Sequence, residues 1–149
     1  MVIGKHLFGI IIKSNNLFKK YTKLTYQEKS MILYGISLIT PIFFGSWLIG
    51  VFGLIFGIVG VFEFNPFLGL PWIANFLYFG NLIFRKINLK LKTGISFLTI
   101  TFGLFTIGIR KVPVHEGGLN ADVIVGIGFI LWLSSFIILL IGQIKDGIK

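Results

Sequence analysis

The chain has no cysteine, which excludes disulfides, thiolate metal sites and thiol catalysis, and leaves the redox compartment open. It is also poor in charge: charged residues make up 13% of its 149 residues, against roughly 25% in soluble domains. The few ionisable groups avoid the middle of every long apolar run. That argues against a proton relay, a coupled transporter or a voltage sensor, all of which need ionisable groups inside the membrane. No P-loop, GxGxxG or HExxH pattern is present, so an enzyme has nothing to stand on. No catalytic, cofactor-binding or metal-ligating residue is expected, and no cofactor.

What is abundant points one way. Hydrophobic residues reach 55%, with 19 Gly and 17 Phe, more apolar surface than a single soluble domain of this length can bury but which lipid can cover. The net charge of +9 would suggest nucleic acid in a soluble protein. Here the Lys residues gather at the ends of apolar runs, so anionic lipid and control of topology account for them, and no nucleic-acid partner is expected.

Four stretches carry no charged side chain: Met31 to Phe62 (32 residues), Phe64 to Phe84 (21), Thr93 to Ile109 (17) and Val123 to Ile144 (22). A spanning helix needs about 20 apolar residues, roughly 17–25. The sequence therefore predicts an all-α integral membrane protein, one membrane domain with about four transmembrane helices at 31–62, 66–87, 93–110 and 122–144. The first run is too long for one crossing and too short for two. It reads as one long helix, kinked near Pro41 or tilted, with an end projecting into the interface. Thr25-Tyr26-Gln27-Glu28 has capping-box spacing, so this helix should begin near Tyr26. Asn65-Pro66 reads as a cap followed by proline at the first helical position. Pro71 offers a second start, which would leave Pro66 to Leu70 as a separate turn. Gly117 to Asp122 reads as a loop into the last helix, capped by Asn120 or Asp122. Trp72 suits an interfacial position, and Trp132, mid-run, suits packing.

Basic residues fix the expected orientation. Lys5, Lys13, Lys19, Lys20, Lys23 and Lys29, then Arg85, Lys86, Lys90 and Lys92, then Lys145 and Lys149 fall on one side of a four-span chain. Only Arg110 and Lys111 fall on the other. This asymmetry predicts a multi-pass protein of the plasma (inner) membrane with both termini cytoplasmic. In residues 1–25, Ile3, Leu7, Ile10 and Ile11, and later Leu17, Phe18, Tyr21 and Leu24, lie opposite Lys side chains. The pattern reads as a basic amphipathic helix in the headgroup plane on anionic lipid, ahead of a cleaved signal peptide or a partner-binding helix.

Small residues form two stripes, Ser46, Gly50, Gly53, Gly57 and Gly60 in the first run, and Ser96, Thr99, Gly103 and Thr106 in the third. They serve either packing within one bundle, the favoured reading, or an interface with another chain. Asn75 and Asn81 inside the second run read as hydrogen-bonding glue between helices, with a pore lining as the alternative. His115-Glu116 reads as a solvated loop rather than a metal or acid–base site, with His6 far away.

Trp72-Ile-Ala-Asn75 before a basic loop, then Glu116-Gly-Gly118, then Gly128-Phe-Ile-Leu-Trp132-Leu-Ser134-Ser135 resemble small multi-pass bacterial membrane proteins of unassigned role. That resemblance, over roughly Asn65 to Gly142, implies membrane topology rather than an activity. In size and basic charge the chain is also similar to immunity proteins that protect bacteria against pore-forming bacteriocins. The expected function is a non-enzymatic interaction or accessory subunit of a membrane assembly, its partners being lipid and other membrane proteins or a second copy. The alternatives are a small homo-oligomeric pore or membrane effector, and an immunity or defence protein.

Overall fold

The computed structural model describes residues 24–46, 48–84, 86–113 and 120–148. The expected interfacial segment 1–25, apart from its last two residues, lies outside them, as does His115-Glu116. The described chain is mostly helical: α1 Tyr26–Ile39, α2 Gly50–Phe62, α3 Pro66–Ile83, α4 Leu89–Leu104 with a 3₁₀ turn Phe105–Gly108, and α5 Ile127–Gly147. Among the described residues two helical stretches are long and apolar enough to cross a membrane, Leu89–Gly108 and Ile127–Gly147. A third joins them if α2 and α3, bent by 119° at their junction, count as one span.

Four helices alternate in direction. Tyr26 of α1 packs on Gly142 of α5, while Thr40, just past α1, meets Gly128. Leu89 at the start of α4 meets Gly147, and Gly103 near its end meets Trp132. Phe67 in the first turn of α3 touches Gly108, and Asn81 near its end bonds Ser96. One end of the bundle thus holds Lys29, Lys86, Lys90, Lys92 and Lys145. There Lys145 Nζ donates to the Tyr26 hydroxyl, and Lys29 places its ammonium group 5.5 Å from the centroid of the same ring, a favourable cation–π distance. The opposite end holds Glu63, Arg110, Lys111 and Asp122.

The capping box at the start of α1 is complete: the Glu28 N–H donates to Thr25 Oγ1 at 3.2 Å, and the Thr25 N–H donates to Glu28 Oε2 at 2.8 Å. Asn65 caps α3, accepting from the Phe67 N–H at 3.0 Å, with Pro66 in the first turn. Pro71 does not open a second helix. It lies inside a continuous α3, at the cost of one backbone bond.

Two expectations are corrected. Met31 to Phe62 is not one kinked helix. Pro41 has no N–H and disfavours helical backbone at Thr40, so α1 ends at Ile39 and α2 starts only at Gly50. Between them β1, Phe43–Phe44, pairs antiparallel with β4, Ile124–Val125. Gly45 turns the chain back at φ +94°, where an L side chain is strained, and a Cβ there would lie 2.6 Å from the Asp122 carbonyl oxygen. Ser46 therefore shares no helix face with Gly60. Nor do Asn120 or Asp122 cap the last helix. They form β3, Asn120–Asp122, paired with β2, Lys111–Pro113. α5 begins at Ile127, and its leading amides are met by backbone: Gly126 N–H donates to Ile42 O at 2.6 Å and Gly128 N–H to Pro41 O at 2.8 Å. A side-chain cap is unnecessary there.

The α2–α3 junction is a Schellman turn. The Asn65 N–H donates to Gly60 O at 2.9 Å and the Phe64 N–H to Val61 O at 3.2 Å, with Phe64 at φ +53° in the position usually held by glycine. The Phe64 side chain is 92% exposed, so packing within the chain does not compensate. Phe64→Gly should raise stability in detergent by about 0.5–1 kcal/mol, because about 1–2 kcal/mol of left-handed strain outweighs glycine's added chain entropy. Gly128→Ala should lower it, since its Cβ would sit 2.7 Å from the carbonyl oxygens of Thr40 and Pro41. Denaturation midpoints check both, and a stabilised Gly128→Ala would contradict the close contact between α5 and the turn.

Candidate functional site

Inside lipid an unpaired polar group has no water to turn to, so polar side chains in these helices must find one another. They do so at three levels. Near the basic end, Asn81 of α3, Ser96 of α4 and Gln143 of α5 close a ring. Asn81 Nδ2 donates to Ser96 Oγ at 2.7 Å, Ser96 Oγ to Gln143 Oε1 at 2.9 Å, and Gln143 Nε2 to Asn81 Oδ1 at 3.0 Å. One turn further in, Ser30 of α1 bonds the Tyr78 hydroxyl of α3 at 2.7 Å and donates to the Ser135 carbonyl of α5 at 2.7 Å. Beyond it, Asn75 Oδ1 accepts from the Tyr34 hydroxyl at 2.8 Å and from Trp132 Nε1 at 2.9 Å. Tyr34 and Tyr78 stack at 4.9 Å between centroids, and Phe136 packs against both.

The small-residue stripes are consumed within the chain. A Cβ at Gly57 would meet the Trp72 ring at 2.7 Å, and one at Gly60 would clash with Leu68. Gly50 packs on Ser37 and Leu38, whereas Gly53 meets only the end of the Ile42 side chain. Ser96, Thr99 and Gly103 are buried facing neighbouring helices. The Trp72 indole N–H donates to Leu54 O at 2.7 Å and ties α3 to α2. Ser30, Tyr34, Tyr78 and Gln143 were not singled out from the sequence. Gln143 carried the same signal as Asn81, an amide within an apolar run.

The end of the bundle that carries the strands holds a cleft of about 480 Å³, walled by α2, the first half of α3, the start of α5 and the 3₁₀ turn. Its walls are apolar and rich in aromatic rings, among them Phe52, Phe56, Trp72 and Phe129. Ser37, Asn75 and Thr106 interrupt them, and Glu63 is the one charged side chain among the described residues lining the cleft. Asn75 is already bonded, but the buried Thr106 hydroxyl has no partner among the described residues. No group of His, Asp or Glu among the described residues is arranged to hold a metal.

No protein-family model matches the chain, and no curated protein or solved structure does either.

The Asn81–Ser96–Gln143 ring carries a quantitative expectation. Asn81→Leu and Gln143→Leu should each destabilise the bundle, and a double-mutant cycle should give a coupling of about 0.6 kcal/mol, at most about 1.7. Unfolding measured in bicelles tests this. Strict additivity would mean that the two amides do not meet.

Proposed function

We propose that the chain is a non-enzymatic, multi-pass protein of the plasma (inner) membrane with both termini cytoplasmic, acting as an accessory or interaction subunit of a membrane assembly. The four crossings are α1 with its extended continuation to Phe44, α3, α4 and α5. α1 alone covers about 21 Å at ~1.5 Å per residue, so the extended residues help it reach across a core of about 30 Å. α2 packs against the half of the bundle away from the basic end. The asymmetry of basic residues supports this orientation, and residues 1–25 add further Lys for anionic lipid.

One observation carries the functional reading: apart from Thr106, the buried polar side chains of the described helices are hydrogen-bonded within the chain. A pore needs such groups turned toward a water-filled axis. Here Ser96, Asn81 and Gln143 close on themselves, while the outer surface presents large apolar side chains such as Phe76, Phe97 and Ile130. This favours a packed accessory subunit over the pore. An immunity or defence role, the reading that the compositional likeness suggests, fits the same architecture.

Single cysteines replacing Asn88 and Asn120 in this cysteine-free chain should label from opposite sides of intact cells, Asn120→Cys from outside. Labelling of both from outside would remove the four-crossing arrangement. Liposomes containing the purified chain should neither leak small dyes nor accumulate a substrate against a gradient. A steady non-selective leak would replace the accessory reading with the pore.

A further inference from the structure

We infer that the cleft at the strand end binds one amphipathic organic cation, with its apolar body among Phe52, Phe56 and Trp72 and its positive group at Glu63. The inference goes beyond the accessory role and does not depend on which partner the chain assists.

Size and lining set the class of ligand. The volume, about 480 Å³, falls within the roughly 300–1,000 Å³ of small-molecule sites, which are mostly apolar with a few placed polar groups. Charge narrows it. The chain carries +9 overall, yet no Lys or Arg is among the described residues lining the cleft, and its single charged group is a carboxylate. Glu63 is the C-cap of α2, two residues before the N-cap of α3. The faces of Phe and Trp rings attract a cation further. An anion would meet Glu63 with no counter-charge among the described lining residues, and a plain alkyl chain would leave the carboxylate unused.

Thr106 lies in the inner wall of the cleft. Its side chain lines the cleft and is only 5% exposed, yet its hydroxyl bonds nothing among the described residues. Earlier threonines of the same helix behave differently: Thr93, Thr99 and Thr101 each donate to the carbonyl four residues back, at 3.0, 2.8 and 3.0 Å. At Thr106 the helix has tightened to 3₁₀, and no such bond forms. A buried hydroxyl left unpaired is disfavoured, and with its oxygen shut off from the cleft surface a ligand would reach it only by displacing the surrounding side chains.

Tetraphenylphosphonium is a suitable probe, with tetraphenylborate as its counterpart of similar shape and opposite charge. The full chain in phosphatidylcholine nanodiscs should bind the phosphonium saturably, one per chain, above its partitioning into empty nanodiscs. The borate should partition only. Glu63→Gln, at an exposed side chain, should weaken phosphonium binding by about two- to fivefold, as expected for losing a solvent-screened charge pair, and Glu63→Asp should retain most of it. Thr106→Val should raise the melting temperature of the ligand-free chain. The proposal is overturned if saturable phosphonium binding is absent, if both ions bind equally, or if Glu63→Gln leaves affinity unchanged.

Discussion

Asn75 sits where α1, α3 and α5 meet, and its carboxamide must be satisfied without water. Its oxygen accepts from the Tyr34 hydroxyl and the Trp132 indole, and its nitrogen donates to the carbonyls of Pro71 and Trp72 at 3.2 and 3.3 Å. In hydrocarbon, helices gain little from apolar association, since lipid tails are as apolar as their side chains. Interhelical hydrogen bonds and close packing then decide which faces meet. With Asn75 fixed, Tyr34 must face α3, and the Tyr34–Tyr78 stack and the Ser30–Tyr78 bond follow along the same two helices. The amide ring at Asn81 brings α4 into the same alignment.

This alignment has consequences at both ends. It gathers Lys29, Lys86, Lys90, Lys92 and Lys145 at one end, where they suit an anionic leaflet. At the other end the helices diverge around α2, and the polar ties give way to aromatic walls. The cleft lies there. Two short strand pairs lie at this end, and Pro41 and Ile42, just before β1, supply the carbonyls that the start of α5 needs. The side-chain hydrogen bonds among Asn81, Ser96 and Gln143 lie near the basic end, and the ligand-sized space lies at the other.

Much of the helical content was legible because its signals are local. Thr25 with Glu28, and Asn65 with Pro66, are caps written in adjacent residues, and the structure uses both. Apolar runs likewise mark helices that lipid can cover. The break after Ile39 was not legible. Pro41 was visible, but a kink and a full interruption differ through the pairing of Phe43 and Phe44 with Val125 and Ile124, about eighty residues away. The true start of α5 was hidden for the same reason, since its amides are met by a distant turn rather than by a preceding side chain. Asn75 and Asn81 were recognisable as glue, but their partners Tyr34 and Trp132, Ser96 and Gln143 could not be paired without knowing which helices run side by side. The cleft left no motif, because its lining comes from separate elements.

The central claim is that Asn75 ties three helices together inside the bundle, and its most direct test is spectroscopic. The chain has three tryptophans, so the indole N–H region of its NMR spectrum is simple. The Trp132 signal should lie in the hydrogen-bonded range and exchange slowly with solvent. Asn75→Leu should shift that signal and leave the Trp72 signal, bonded to the Leu54 carbonyl, nearly in place. A Trp132 signal unmoved by Asn75→Leu would contradict the account.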